Sequence, residues 1–177
     1  MRQDKPVDPF IKQPEPLARN PGRSQPKQVS LDSTRPVPRM RAHVHSSSAT
    51  QSINSATPTV VSFNTVDFDT VGLFASNKFT IPTTGKVTGT WQIHGHGQYV
   101  KAAGGTVREL YIRKNGTTII AYSVTEPNIL NSLDVLVEIN DPIPGDYFEL
   151  ITNQDSGGAI NLTTTSEKTY YELIHLW

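Results

Sequence analysis

The sequence predicts an all-β protein: an antiparallel jelly-roll or Greek-key sandwich of about eight to ten strands, preceded by an extended proline-rich N-terminal arm. Three observations point there. From Ala56 onward, short runs of β-branched and aromatic residues recur roughly every eight to twelve residues between turn-forming clusters. No stretch carries a 3.6-residue apolar period. The first 45 of the 177 residues hold eight of the thirteen prolines, with a single glycine, Gly22.

The arm comes first. Prolines at 6, 9, 14, 16, 21, 26, 36 and 38 remove backbone donors and fix φ, so neither a helix nor a sheet interior runs through them. Extended, polyproline-like backbone is what remains. Residues 1–45 carry nine Lys/Arg against four Asp/Glu, a net +5, and residues 46–177 carry seven against twelve, a net −5. A neutral total thus hides a basic arm joined to an acidic body. The apolar residues Phe10, Ile11, Leu17, Val29 and Leu31 stand singly, spaced to plug pockets on a partner rather than to build a core. Arg19, Arg23, Arg35, Arg39 and Arg41 add charge between and after them. The expected organisation is an attachment arm over 1–45, a polar hinge over 46–55 (Ser46 to Ser55) and a head domain over 56–177.

The head divides at its turns. Thr59 to Phe63 reads as a first strand, and Lys78 to Pro82 as a second, closed by Pro82-Thr-Thr-Gly85. Lys86 to His94 is the third, and Val107 to Lys114 the next, with Leu110 and Ile112 inward. Asn115-Gly116 supplies the positive-φ pair of a tight hairpin, and Thr117 to Val124 returns. Leu133, Val135, Val137 and Ile139 alternate with Ser132, Asp134, Leu136 and Glu138, the signature of a half-buried strand. Pro142 to Gly145 breaks it before a strand from Asp146 to Thr152. The last strand, Lys168 to Trp177, is apolar on both faces: Tyr170, Ile174 and Leu176 on one, Tyr171, Leu173 and Trp177 on the other. A strand apolar on both faces is covered on both. A neighbouring copy is the economical cover, with Tyr111, Tyr171, Leu173 and Trp177 as its contact residues.

The order of these signals resembles a family. Val61-Ser-Phe-Asn64, then Asn77-Lys-Phe-Thr-Ile-Pro82 with Gly85 three residues on, is similar to the opening of the globular heads of complement and tumour-necrosis-factor-like proteins. Leu110-Tyr-Ile-Arg-Lys-Asn-Gly116, the strand 133–139, Gly145-Asp146 and the closing strand follow in the family's order. The resemblance implies a ten-strand jelly roll that trimerises around its inner sheet, over roughly residues 56–177. The chain departs from the eukaryotic members in lacking collagen repeats, heptads and a secretion signal. It is closer in organisation to similar heads in bacteriophage virions, where a short arm precedes a trimeric β-head.

Candidate chemistry is sparse. His94-Gly-His-Gly97 and the repeat at His43 and His45 have same-face spacing, but Gly95 and Gly97 suggest a loop with solvated histidines. Asp67 and Asp69 read as a solvated edge. No metal site and no cofactor are expected. No G-x-S-x-G, phosphate-cradling Gly-rich loop or H-E-x-x-H occurs, so catalysis is not expected. There is no cysteine and no membrane-length apolar run. The basic residues lack the aromatic interleaving of strand-binding proteins, which disfavours nucleic acid. The expectation is therefore a homotrimeric structural protein of a phage virion, made in the host cytoplasm. It would decorate or cement the capsid, held on the major capsid or another virion protein through residues 1–45. The alternative is the receptor- or glycan-binding head of a tail or head fibre.

Overall fold

The computed structural model describes residues 39–177 except 48–49, 86, 101–103, 128–130 and 164–167. All of them belong to one unit, Val37–Trp177. The arm residues Phe10, Ile11, Leu17, Arg19, Arg23, Val29, Leu31 and Arg35 lie outside the described residues.

The described chain is all β, with thirteen strands in order: β1 Arg41–His45, β2 Gln51–Ile53, β3 Thr59–Val60, β4 Thr65–Asp69, β5 Phe74–Ala75, β6 Lys78–Thr80, β7 Thr90–Gln98, β8 Arg108–Lys114, β9 Thr118–Thr125, β10 Ser132–Asn140, β11 Tyr147–Gln154, β12 Ile160–Leu162 and β13 Thr169–His175. Among the described residues no helix is long and apolar enough to cross a membrane. One sheet has the order β10-β7-β13-β1-β4. The other has the order β5-β6-β11-β8-β9, with β3 also on β11, and β12 pairs with β2 in a small ribbon. Every pairing is antiparallel. Neighbours in the first sheet are distant in sequence, β13 lying between β7 and β1, which is the crossing-over of a jelly roll.

The core lies between the two sheets. Ala42, Val44, Trp91, Ile93, Leu133, Val135, Tyr171 and Leu173 fill it from one side, and Phe79, Leu110, Ile112, Phe148 and Leu150 from the other. The indole of Trp91 is fully buried and donates from Nε1 to the Val87 carbonyl at 3.0 Å, so its one polar atom is satisfied. Asn115 and Gly116 turn the β8–β9 hairpin with φ of 51° and 72°. The side chain of Asn115 ties the turn to the next strand, donating to Asp146 Oδ1 at 2.8 Å and accepting from the Tyr147 amide at 2.9 Å.

The polar hinge expected over 46–55 contains strand β2, paired with β12, and its Ile53 is buried in the core, an apolar anchor that the surrounding Ser, Thr and Asn residues mask. Two further sequence expectations change. The composition shift puts the end of the arm at His45, but residues 41–45 are β1, paired on both sides with β13 and β4. Prolines stop at 38, and beyond them Ala42 and Val44 alternate with Arg41, His43 and His45, a strand pattern that the arm's composition masks. The second is the third strand, expected over 86–94 and found over Thr90–Gln98, with His94 to Gly97 inside it.

Candidate functional site

The outward face of the five-stranded sheet gathers histidines and carboxylates from four strands. On β1, Ala42 and Val44 point into the core, so His43 and His45 point out. On β7, Ile93, Gly95 and Gly97 are buried, so His94 and His96 point out. Four of the five histidines thus share one face. The glycines are not a bend. A Cβ built on Gly95 would lie 2.4 Å from Leu150 Cδ1, and one on Gly97 would lie 3.3 Å from Leu110 Cδ1. Their absent side chains are the space the opposite sheet's leucines occupy.

Register sets these groups in rows. His45, Tyr170, His96 and Asp134 lie side by side on β1, β13, β7 and β10. The next row runs His43, Glu172, His94 and Leu136, and the one after it Arg41, Ile174, Gln92 and Glu138. The Tyr170 ring stands at the centre, stacked on His43 at 5.4 Å and on His96 at 5.2 Å, with His94 edge-on at 5.2 Å. Arg41 caps Phe68 of β4 at 4.6 Å from its ring centre.

Each histidine pair clasps one carboxylate. His43 Nδ1 and His45 Nδ1 lie 2.7 and 2.8 Å from the same Asp67 oxygen. His96 Nδ1 and His94 Nε2 lie 2.8 and 3.2 Å from the same Asp134 oxygen. Burial alone would raise both carboxyls. The hydrogen bonds and charge of the histidines outweigh it and hold Asp67 and Asp134 below the ordinary carboxylate value. Asp67 reaches its position through an irregularity of β4. Val44 pairs with Val66 and His43 with Phe68, so Asp67 is the extra residue of a bulge that aims its side chain between the two imidazoles.

Ser132 Oγ also lies 3.0 Å from His96 Nε2, which completes a serine–histidine–carboxylate chain. In hydrolases of that connectivity the carboxylate is buried. Asp134 is 61 % exposed and shared with His94, so the chain is part of a surface network.

The fold has solved counterparts. It is similar to murine APRIL in its crystal structure at pH 5.0, with a TM-score of 0.56 at 12 % identity over 78 % of this chain and 99 % of that one. It is similar to the Eiger TNF of S. frugiperda, with a TM-score of 0.53 at 13 % identity over 80 % and 94 %. The globular domain of zebrafish complement 1qA aligns at a TM-score of 0.47 with 16 % identity over 77 % and 95 %. No protein-family model and no curated protein matches the chain. The fold is a TNF-like jelly roll.

The residues the sequence assigns to contacts between copies fall in different places. Tyr171 and Leu173 are fully buried in the core, with the Tyr171 ring between Phe79 at 4.5 Å and Phe63 at 5.8 Å. Burial, with the charge of Glu149 adding to it, pushes the Tyr171 hydroxyl well above its ordinary pKa. The last strand is indeed apolar on both faces, but the face left outside holds Tyr170 and Ile174. Alternation alone cannot say which of two apolar faces meets the core. Tyr111 is buried on the outer side of the other sheet, 6.2 Å from Tyr122. Trp177 is 75 % exposed. Of the arm residues that are described, Arg39 and Arg41 are exposed, Arg41 at the start of β1. Asp134, Ser132 and Tyr170 are the site residues the sequence reading missed. The signal for them was cross-strand register, which one sequence does not display.

Proposed function

We propose that this domain is a non-enzymatic, self-associating head, a homotrimer held through the outward face of the five-stranded sheet. The observation that carries the reading is a pair of unlike surfaces on one chain. The first is the Tyr170-centred face, on a strand whose other side is already core. The second is the outer side of β9, the end strand of the other sheet. There Ile119, Tyr122 and Val124 are each more than half exposed. Unlike surfaces joined head to tail generate a closed ring when the rotation closes. Three is the number implied by the resemblance to tumour-necrosis-factor and complement heads.

The finer reading is a virion protein that decorates or cements a phage capsid. The net +5 of residues 1–45, their prolines and their isolated apolar anchors support an extended attachment segment. Three such segments on one trimer bind with raised effective concentration. The test is made on particles. The full chain should saturate particles stripped of it, a chain lacking residues 1–36 should stay in solution, and loss of the protein should lower particle tolerance to heat while adsorption to cells persists. Normal heat tolerance with adsorption lost would instead favour a receptor- or glycan-binding head.

A further inference from the structure

We propose that His43, His45 and Asp67 form a binding site for a divalent transition cation of the zinc class. Three potential ligand atoms, His43 Nδ1, His45 Nδ1 and an Asp67 carboxylate oxygen, lie within 4.8 Å of one another. Two imidazole nitrogens and one carboxylate oxygen are a donor set for zinc, nickel or cobalt rather than for calcium or magnesium, which take oxygen ligands. Around a tetrahedral ion with bonds of about 2.0–2.1 Å, ligand atoms stand roughly 3.3 Å apart. The present N–O separations of 2.7 and 2.8 Å are hydrogen bonds. They need to open by only about half an ångström, with each ring carrying its proton on Nε2 so that the Nδ1 lone pair faces the ion.

The site is built rather than fortuitous. Two histidines on the outward side of β1 converge because Val44 between them is anchored in the core. The β4 bulge delivers the carboxylate from the neighbouring strand. The His43 ring is held between Tyr170 at 5.4 Å and Phe68 at 5.8 Å, which limits its rotation. The side chains of His43 and Asp67 are 22 % and 39 % exposed, so an ion can enter and a fourth ligand, water or a group from another molecule, can complete the shell. All three donors come from one chain, on the face through which the copies are proposed to associate, so zinc binding is measured on the assembled chain and on the dissociated Leu136→Asp chain.

The experiment titrates the full chain with zinc chloride by isothermal calorimetry and with cobalt(II) by visible absorption. The expected result is saturable binding with the absorption of a four-coordinate cobalt ion. Asp67→Asn, which keeps the side-chain shape, should weaken it at least about tenfold. His94→Ala and Asp134→Asn should leave that site's affinity within about twofold, since neither residue belongs to the proposed donor set. Zinc should raise the thermal midpoint of the natural chain and raise that of Asp67→Asn by less at the same zinc concentration. Failure of the natural chain to bind zinc, or undiminished binding by Asp67→Asn, would overturn the proposal. Should His45→Ala fail to fold, Asp67→Asn and the more exposed His43→Ala decide the outcome.

Discussion

Tyr171 gives the sharpest quantitative test of how the sheet faces are assigned. Its ring is fully buried between Phe63 and Phe79, and its hydroxyl has no hydrogen-bond partner among the described residues. A buried hydroxyl left without a partner costs on the order of 1–3 kcal/mol. Replacing it by Phe keeps both ring contacts and removes that cost. Tyr171→Phe should therefore stabilise the fold by about 1 kcal/mol or more, a rise of roughly 2–5 °C in thermal midpoint for a domain of this size. Tyr171→Ala removes the ring and should cost about 3–5 kcal/mol. Urea unfolding of the full chain measures both, at one fixed protein concentration because association adds to apparent stability. A loss of 1 kcal/mol or more in Tyr171→Phe would show that the hydroxyl is bonded. Unchanged fold stability in Tyr171→Ala, combined with dissociation of the assembly, would show that the ring faces a neighbouring copy.

Three further outcomes follow from the packing and electrostatics. Gly95→Val drives a side chain into Leu150 Cδ1 and Val135 Cγ1, and should cost about 1–3 kcal/mol in urea unfolding, partly relieved by adding Leu150→Ala. Asp146 is nearly buried. Burial raises its pKa, but Lys114 Nζ at 2.6 Å, the Asn115 amide and the Ile143 N–H outweigh that and hold it below 3.8. Its contribution to stability is full above the unfolded-state value and is lost as pH falls through the lower folded-state value. Asp146→Asn should therefore destabilise the protein at neutral pH and flatten the fall in stability below pH 3.8, as read from midpoints measured across that range. Deleting residues 1–36 should leave the unfolding midpoint of the head nearly unchanged. Deletion through His45 should abolish cooperative unfolding, because β1 fills the gap between β13 and β4.

What could be read from the sequence is what alternates or turns locally. The β8–β9 hairpin is announced by Asn115-Gly116, and β10 by the alternation of Leu133, Val135, Val137 and Ile139. β2, β5 and β12, at two or three residues each, are too short to show a period. β1 hides behind the arm's prolines and charge, and the bulge of β4 leaves no mark in the sequence, where Val66 and Phe68 alternate with Asp67 and Asp69. The His-x-His spacing was visible, but Gly95 and Gly97 suggested a loop, because the leucines filling their space sit on a different sheet. Both faces of β13 are apolar, so alternation places Tyr171 and Leu173 outward as readily as inward. Only register against β1 and β7 shows that Tyr171 points inward and Tyr170 outward.

The central claim is self-association through the Tyr170 face, and light scattering coupled to size-exclusion chromatography tests it most directly. The full chain at micromolar concentration should elute as a species of about three times its 19.5 kDa mass. Leu136→Asp, at the β10 edge of that face, should shift it toward the single-chain mass while leaving the circular-dichroism spectrum of a β-sandwich intact. A natural chain that elutes at 19.5 kDa under these conditions would contradict the account.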